Sequence, residues 1–386
     1  MAHFSYLDAA RDVSAEMIEA SLGLVARESP SGDYLALESS AAYVAELGQR
    51  LLGQPPEIVR KGNVPHLLWR IGQGDRRALL LGHHDTVWPI GSLTELPARV
   101  VDGIMRGPGC FDMKVGVVQG LFACALIIEN EGLDALDGVT ILITGDEESG
   151  SHTSRSLIES EATHVEAVLV LEAAAPGGAL KIARKGVSLY EIEVRGRAAH
   201  AGLEPELGIN AGLEMATQIQ RISGLGDLNA GTSVVPTSGT IGTTANTVPA
   251  SAVLTVDVRA ETSEEQNRVD LRIRGLTTLN PDASVHISGG PNRPPMGSDM
   301  SRVLFDHARR AAQVLGLPAL EGVAVGGASD GNFTSALGIP TLDGLGAVGG
   351  GAHSADEHVI VASIPEQTAR LAQLLSGLIS TRSIPY

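Results

Sequence analysis

The sequence predicts an α/β protein in which a mainly parallel sheet forms a larger domain and a smaller α+β domain is inserted into it. Apolar runs at 78–81, 139–144 and 167–171 alternate with segments of helical spacing, which is typical of parallel sheets covered by helices. From residue 184 onward, apolar and polar residues alternate as in half-exposed strands. A length of 386 residues also favours two domains over one.

In the larger domain, helices should surround the three buried strands. Apolar residues show helical spacing at 14–29 and 37–52, before the first buried strand. A long apolar helix is expected at about 115–130, between the first and the second strand. The segment 296–386 should add two more helices around a buried segment.

The residue pattern of the inserted segment predicts strands and helices in the order β-α-β-β-α-β, which is that of a ferredoxin-like domain. Its strands are expected at 186–195, 233–241, 252–259 and 284–287, and its helices at 209–222 and from Thr262. The run GGPNRPP at 289–295 resembles a linker back to the first domain. The expected bounds are therefore 1–183 and 296–386 for the larger domain, and 184–295 for the inserted one.

Composition and charge restrict the classes of function. Hydrophobic residues make up 43% of the chain, so a large core can form, and the net charge of −17 argues against a nucleic-acid or anionic membrane partner. Two cysteines, Cys110 and Cys124, do not suggest a disulfide framework. The N-terminus lacks the features of a secretory signal, and no apolar run reaches the length of a membrane span. We therefore expect a cytoplasmic protein.

Metal-binding side chains follow the ends of five apolar runs. They are His83, Asp112, Glu148, Glu172 and His353. Ligands of an open α/β sheet gather at the carboxyl ends of its strands, so we expect these side chains to meet. Two imidazoles and three carboxylates are too many for one tetrahedral zinc, but they suit a pair of zinc ions sharing one carboxylate. This constellation points to a two-zinc amide hydrolase.

Further motifs surround these residues. They are H-x-D at 83–85, G-x-x-D-x-K-x-G at 109–116, D-E-E at 146–148, and the runs at 197–211, 245–259 and 326–333. Together, and in this order across nearly the whole chain, they resemble the aminoacylase and carboxypeptidase G family of two-zinc metallopeptidases. The run HAGLEPELGINA at 200–211 and the ARKG segment at 183–186 are most similar to the glutamate carboxypeptidase branch.

This resemblance implies a zinc exopeptidase fold for the larger domain and a lid and dimerisation role for the inserted domain. It implies that Asp112 bridges two Zn²⁺ ions. His83 and Glu172 would complete the shell of one ion, and Glu148 and His353 that of the other. Co²⁺ or Mn²⁺ would also suit such ligands.

The resemblance also implies catalytic roles. Glu147 is expected to be the general base that takes a proton from the attacking water and delivers it to the leaving amine. Its alternatives are a further metal ligand or a solvated residue. Asp85 is expected to orient His83 through the other ring nitrogen, the alternative being a turn residue. His200 of a partner copy is expected to stabilise the oxyanion.

The same resemblance implies that Asn246 and Arg259 hold the carboxylate of the substrate. An arginine fork suits this role, because it can bind a carboxylate with two hydrogen bonds. A strand-surface ion pair is the alternative for Arg259. Gly350 and Gly351, which precede His353, are expected to offer backbone N–H groups to the same carboxylate, although a tight turn would use the same residues.

Arg184, Lys185 and Arg293 are candidates for binding a second, side-chain carboxylate such as that of glutamate; a solvated basic residue is the alternative.

The sequence and the resemblance together predict a homodimeric zinc hydrolase that releases a C-terminal amino acid from a small N-acyl or peptidyl substrate. Glutamate is the first choice for the released amino acid. One alternative is an N-acyl amino acid amidohydrolase, which includes aminoacylases, deacetylases, desuccinylases and a variant acting on carbamoyl groups. The other is a non-catalytic binding relative.

Overall fold

The computed structural model describes residues 4–380, and the chain divides into two compact units. Within these residues, the first unit contains 4–183, Gly297–Val325 and 329–380, and the second contains Arg184–Met296 and Gly326–Ala328. The short Gly326–Ala328 segment therefore belongs with the second unit, whereas the sequence assigned all residues after 295 to the larger domain.

Helices and strands within residues 4–380 are labelled in chain order. The α-helices are α1 (Tyr6–Asp12), α2 (Ser14–Val25), α3 (Tyr34–Leu52), α4 (Val115–Glu131), α5 (Arg155–Ala162), α6 (Ala211–Ser223), α7 (Ser263–Arg274), α8 (Ser298–Val314), α9 (Gly331–Ala336) and α10 (Ile364–Ser380). The strands are β1 (Glu57–Lys61), β2 (Val64–Arg70), β3 (Ala78–His83), β4 (Arg99–Val101), β5 (Ile104–Arg106), β6 (Val139–Thr144), β7 (Ala167–Val170), β8 (Leu180–Arg184), β9 (Gly186–Arg195), β10 (Ala199–His200), β11 (Ser233–Ile241), β12 (Thr247–Val248), β13 (Ser251–Ala260), β14 (Ser284–Arg293), β15 (Gly322–Val325), β16 (Thr341–Leu342), β17 (Gly349–Gly350) and β18 (His358–Ile360).

The central sheet of the first unit has six strands in the order β1-β2-β6-β3-β7-β16. Strands β6, β3, β7 and β16 run parallel, whereas β1 and β2 add an antiparallel edge. Every residue of β3, β6 and β7 is buried, because a parallel sheet is covered on both faces and its strands are apolar throughout. The predicted α/β class is confirmed, while the β1-β2 hairpin was not predicted.

Helix α4 is buried along most of its length, up to Ile127. A Cβ at Gly116 would lie 2.1 Å from the carbonyl oxygen of Leu171, so glycine allows α4 to approach the end of β7. The helical stretch Cys110–Glu131 has the length and hydropathy of a membrane span, contrary to the expectation above, but 83% of the window is buried inside the protein. A helix that is apolar and buried to this extent belongs to the protein core.

The second unit contains a four-stranded antiparallel sheet in the order β11-β13-β9-β14. Helix α6 follows β9 and α7 follows β13, so the chain order is the split β-α-β arrangement that the sequence predicted. Alternate residues of β9 and β13 are buried and pack with apolar residues of both helices in a separate core.

The prediction of a linker at 289–295 is wrong for most of its length. Strand β14 continues to Arg293 and pairs with β9, with an irregularity in register near Pro291. Gly289 has a φ of +78°, and a Cβ there would lie 2.1 Å from the carbonyl oxygen of Leu189. Glycine is therefore needed for a close, irregular strand pairing rather than for a free connection.

Candidate metal centre

The five predicted metal ligands meet at one edge of the central sheet of the first unit. His83 is the last residue of β3, Glu148 follows β6, and Glu172 follows β7. Asp112 lies in the segment before α4, and His353 follows β17. Parallel neighbours bring the carboxyl ends of their strands together, which explains why residues distant in sequence share one site.

Asp112 lies between the two histidines. Its Oδ1 is 3.4 Å from Nε2 of His83, and its Oδ2 is 3.3 Å from Nε2 of His353. Oε1 of Glu172 lies 3.5 Å from the same His83 nitrogen, and Oε1 of Glu148 lies 3.2 Å from that of His353. The five side chains therefore form two groups that share Asp112.

The geometry and chemistry of these groups fit divalent metal ions. An ion bound tetrahedrally at 2.0–2.1 Å holds its ligand atoms about 3.3 Å apart, close to the 3.2–3.5 Å observed between imidazole and carboxylate atoms. Nε2 of His83 is buried and makes no hydrogen bond of normal geometry within residues 4–380. A ring nitrogen without such a partner, facing two carboxylates, is suited to bind a cation.

The pKa values of the site's side chains are shifted because its carboxylates and imidazoles lie close together. Burial alone would raise the pKa of Asp112, but the neighbouring imidazoles of His353 and His83 bring it well below its usual range. Hydrogen bonds to Asp112 and Glu148 raise the pKa of His353 to about 10. Burial, with the negative charge of Asp112, raises the pKa of Glu148. Protons and metal ions therefore compete for these ligands.

Asp85 supports both His83 and the loop after β6. Nδ1 of His83 lies 3.0 Å from the backbone carbonyl oxygen of Asp85 and 3.3 Å from its Oδ1. The Asp85 carboxylate also accepts hydrogen bonds from Oγ of Ser31 at 2.5 Å and from the backbone N–H groups of Glu147 and Glu148 at 3.1 Å each. Asp85 therefore contacts the ring nitrogen that faces away from Asp112, as the resemblance requires of an orienting residue.

Glu147 is buried, at 9% exposure, in the turn that follows β6. Ligand atoms of Glu147, His83 and Glu172 lie within 4.8 Å of one another. This position suits a general base next to a metal ion, and it equally suits a further metal ligand. Both roles of Glu147 given by the sequence therefore stay open.

His200 and Asn246 are neighbours on an exposed ribbon of the second unit. Strand β10, which ends at His200, pairs with β12, and the N–H of Ala201 donates to the carbonyl oxygen of Asn246. Nδ1 of His200 accepts hydrogen bonds from the N–H groups of Gly202 and Leu203, each at 3.1 Å. The remaining ring nitrogen, Nε2, must then carry the proton and can donate a hydrogen bond.

Arg259 forms an ion pair within the second unit. Its guanidinium donates two hydrogen bonds of 2.8 Å to the carboxylate of Asp257, two residues before it on β13. The strand-surface ion pair considered as the alternative is therefore present. A substrate carboxylate at Arg259 would have to compete with Asp257.

The three candidate residues for a second carboxylate also lie in the second unit. Nζ of Lys185 donates to a backbone carbonyl at 2.6 Å and lies 3.4 Å from the carboxylate of Glu261. Arg184 is buried and donates to the carbonyl oxygen of Gly327 at 3.0 Å, and Arg293 is buried as well. The contacts of Lys185 favour a structural role, and substrate binding by all three stays a prediction.

The glycines before His353 form a tight structure. Gly350 pairs with His358 in the β17-β18 ladder. Gly351 has a φ of +74°, and a Cβ there would lie 2.6 Å from the backbone carbonyl of Asp356. His353 itself has a φ of +60°, which is uncommon for a residue other than glycine and is often found at functional sites. Substrate binding by Gly350 and Gly351 stays a prediction.

Two charged residues near the centre were not predicted. Nζ of Lys181 lies 3.9 Å from Oε2 of Glu172. Glu357 is fully buried and accepts hydrogen bonds from the segment that contains Asp112. The backbone partners of Glu357 lie at least 245 positions away in the sequence, so no local pattern could reveal them. Only its place four residues after His353 could have pointed to Glu357.

Comparison with known proteins agrees with this geometry. Residues 79–377 match the sequence profile of Peptidase family M20/M25/M40. Carboxypeptidase G2 of Pseudomonas sp. (strain RS-16) is 31% identical over 316 residues, which cover 80% of this chain and 75% of that protein. Succinyl-diaminopimelate desuccinylase of Methylorubrum extorquens (strain PA1) is 27% identical over 339 residues, covering 82% and 86%.

Among solved structures, the M20 family metallo-carboxypeptidase Sso-CP2 from Sulfolobus solfataricus superposes with a TM-score of 0.77 at 16% identity. The match covers 95% of this chain and 100% of that one, so the two proteins share a fold. The resemblance inferred from the motifs is thereby confirmed, and the chain belongs to peptidase family M20/M25/M40, a family of metal-dependent hydrolases.

Proposed function

We propose that this chain is a two-zinc exopeptidase or amidohydrolase that cleaves an amide bond and releases a C-terminal amino acid, most readily glutamate. The observation that carries the proposal is the position of Asp112, whose two oxygens lie 3.4 and 3.3 Å from the ring nitrogens of His83 and His353. One carboxylate shared by two such groups is an arrangement that can hold two metal ions close together. Two zinc ions held there would lower the pKa of a water molecule and polarise the amide carbonyl.

Residues of the chain would control the proton and the orientation of the ligands. Glu147, buried beside His83 and Glu172, would accept the proton of the attacking water and pass it to the leaving amine. Asp85 would hold the ring of His83 and, through the N–H of Glu147, the loop that carries the base.

We extend the proposal to the second unit as a lid and dimerisation domain. His200 would donate its Nε2–H to the developing oxyanion, and Asn246 would bind the carboxylate of the substrate. Their shared exposed ribbon and the donor state of the His200 ring support these roles. By resemblance to the family, His200 would act in the site of a partner copy.

Glutamate is the first choice because of sequence similarity. The 200–211 run and the ARKG segment are most similar to the glutamate carboxypeptidase branch, and carboxypeptidase G2 is 31% identical to this chain. A second candidate is removal of a succinyl group from an N-succinyl amino acid. It is favoured by desuccinylases that are 27–29% identical to this chain over 86–89% of their own length.

A substrate panel tests these proposals. Zinc-loaded protein is incubated with folate, methotrexate, N-succinyl-diaminopimelate and several N-acetyl amino acids, and the released amino acids are quantified. The control is the same protein treated with a chelator and then given zinc again. Chelator-sensitive release of glutamate is the expected result. Faster cleavage of the succinyl substrate would support the second candidate, and no turnover by protein containing two zinc ions would contradict both.

A further inference from the structure

Glu357 is a buried carboxylate that follows His353 in the chain and accepts hydrogen bonds from two segments near His83 and Asp112. Its Oε1 accepts hydrogen bonds from the backbone N–H groups of Phe111 at 2.9 Å and Asp112 at 3.1 Å. Its Oε2 accepts from the N–H of Gly109 at 3.0 Å and from Nε1 of Trp88 at 2.7 Å. The side chain is 0% exposed, so these four donors take the place of water.

These contacts connect three segments of the metal centre. Glu357 lies four residues after His353, and its partner Trp88 lies five residues after His83. Its other donors belong to the segment that carries Asp112. We propose that Glu357 is a positioning residue that sets the shared carboxylate of Asp112 relative to the two histidines for metal binding. This inference rests on the two-zinc function proposed above.

The physical reason lies in how Asp112 must be held. Each of its oxygens faces a different imidazole, at 3.4 and 3.3 Å, so a rotation of its backbone would disturb both groups. The hydrogen bond from the Asp112 N–H to Glu357 fixes the backbone of Asp112 directly beside its Cα atom. Hydrogen bonds to an ionised carboxylate are stronger than neutral ones, and a fully satisfied buried network holds a unique arrangement. Mutation of a residue that orients a metal ligand typically lowers metal affinity by about 10–100-fold.

Glu214 in the second unit provides a matched control. It is buried, at 5% exposure, and its carboxylate accepts hydrogen bonds from the backbone N–H groups of Leu279 and Asn280 at 3.0–3.1 Å and from Nε2 of Gln218 at 2.8 Å. Glu214 thus anchors a loop as Glu357 does, but outside the predicted ligand segments. A purely structural role would affect both variants alike, by lowering stability only.

The experiment uses the full chain as wild type, Glu357→Gln and Glu214→Gln. Zinc affinity is measured by competition with a coloured chelator, the metal-free melting temperature by calorimetry, and the site geometry by the visible absorption of Co²⁺-loaded protein. We expect Glu357→Gln to weaken binding of at least one ion by about 10–100-fold and to change the Co²⁺ spectrum. Glu214→Gln should keep wild-type affinity and spectrum although its melting temperature also falls.

Wild-type affinity and spectrum in Glu357→Gln would overturn the positioning role. If that variant does not fold, Trp88→Phe removes one donor to Glu357 and is expected to weaken zinc binding by about fivefold, the equivalent of one hydrogen bond; unchanged affinity would again overturn the inference. If wild-type protein itself binds no zinc, the proposed function and this inference both fail. If it binds two ions and the variants bind them equally well, only this inference fails.

Discussion

Asp112 and Glu148 are neighbouring carboxylates whose pKa values shift in opposite directions. The two imidazoles beside Asp112 outweigh burial and lower its pKa, whereas burial and the charge of Asp112 raise the pKa of Glu148. Asp112 is therefore the more strongly ionised of the two. This difference suits a carboxylate that is shared between two ions.

Glu147→Gln tests the general base. Glutamine has the shape of glutamate but cannot take a proton from water at neutral pH, so we expect kcat to fall by about 10²–10⁴-fold with zinc content unchanged. Steady-state kinetics and elemental analysis measure the two quantities on the same sample. Glu148→Gln, at a predicted ligand, is the control that should lose zinc. Loss of zinc from Glu147→Gln would instead identify Glu147 as a ligand.

At the level of single residues, the sequence predicted the ligands better than their supports. His83 and Asp112 lie in motifs of fixed spacing, and the structure brings them together with the other predicted ligands. Ser31, Lys181 and Glu357 were missed, because each contacts the site through folds of the chain that no local spacing reveals.

At the level of elements, the register of the parallel strands positions the site. His83 lies opposite Thr144 at the end of β6, and Leu81 lies opposite Val170 at the end of β7. The segments that carry Glu172 and the D-E-E motif therefore leave the sheet at the same edge. Helix α4 packs against Leu171, the residue before Glu172. Gly116 allows this approach because it has no side chain to meet the carbonyl oxygen of Leu171.

Gly116→Ala tests this helix contact. An added Cβ would lie 2.1 Å from the Leu171 carbonyl oxygen, so the helix or the residue before Glu172 must move. We expect the free energy of unfolding to fall by about 1–3 kcal/mol and zinc affinity to fall with it. Urea unfolding and zinc competition are the measurements. Gly377→Ala, where a Cβ meets nothing within 4 Å, should be neutral or stabilising, and an equal loss in both variants would contradict the argument.

Glu214 gives the second unit a pH-dependent stability. Burial raises its pKa, but hydrogen bonds from Leu279, Asn280 and Gln218 lower it overall below the ordinary value of 4.5. A carboxyl group with a lowered folded-state pKa stabilises the fold fully above the unfolded pKa, and this contribution is lost as the pH falls. Glu214→Gln should therefore cost about 1–3 kcal/mol at pH 7, and less at pH 3.5. A difference in unfolding free energy that does not change with pH would contradict this.

Some elements were predictable from periodicity and others were not. The predicted bounds of β6, β9 and β11 agree with the structure. The apolar pattern of β6 is continuous, and in β9 apolar and polar residues alternate. Strand β14 was predicted to end at residue 287 because its second half is rich in glycine and proline, yet pairing with β9 extends it to Arg293. The β1-β2 hairpin was missed because β1 carries three charged residues and Pro65 and His66 interrupt the apolar run of β2.

At the level of the whole molecule, the second unit presents an apolar surface. Strand β11 lies at the edge of its sheet, and Val235 and Ile241 on it are 48% and 57% exposed. Leu213 on α6 is 71% exposed. An unpaired strand edge beside exposed apolar side chains favours association with another chain. The homodimer remains a prediction that this surface supports, and the cytoplasmic location remains a prediction as well.

Mixing two inactive variants tests whether His200 acts in a partner copy. Glu147→Gln lacks the proposed base and His200→Ala lacks the proposed oxyanion donor, so a mixed dimer would contain one site with both groups. After random exchange of subunits, about one quarter of wild-type activity per subunit should return. Activity is measured before and after co-refolding, with each variant refolded alone as the control. No recovery would contradict action of His200 across a dimer.

Anomalous diffraction from crystals of the zinc-loaded protein, recorded at the zinc absorption edge, tests the central claim most directly. The claim is that the carboxylate of Asp112 is shared by two ions, one beside His83 and Glu172 and the other beside Glu148 and His353. We predict two anomalous peaks per chain, about 3.5–4 Å apart, on either side of that carboxylate. A single peak, or peaks away from Asp112, would contradict it.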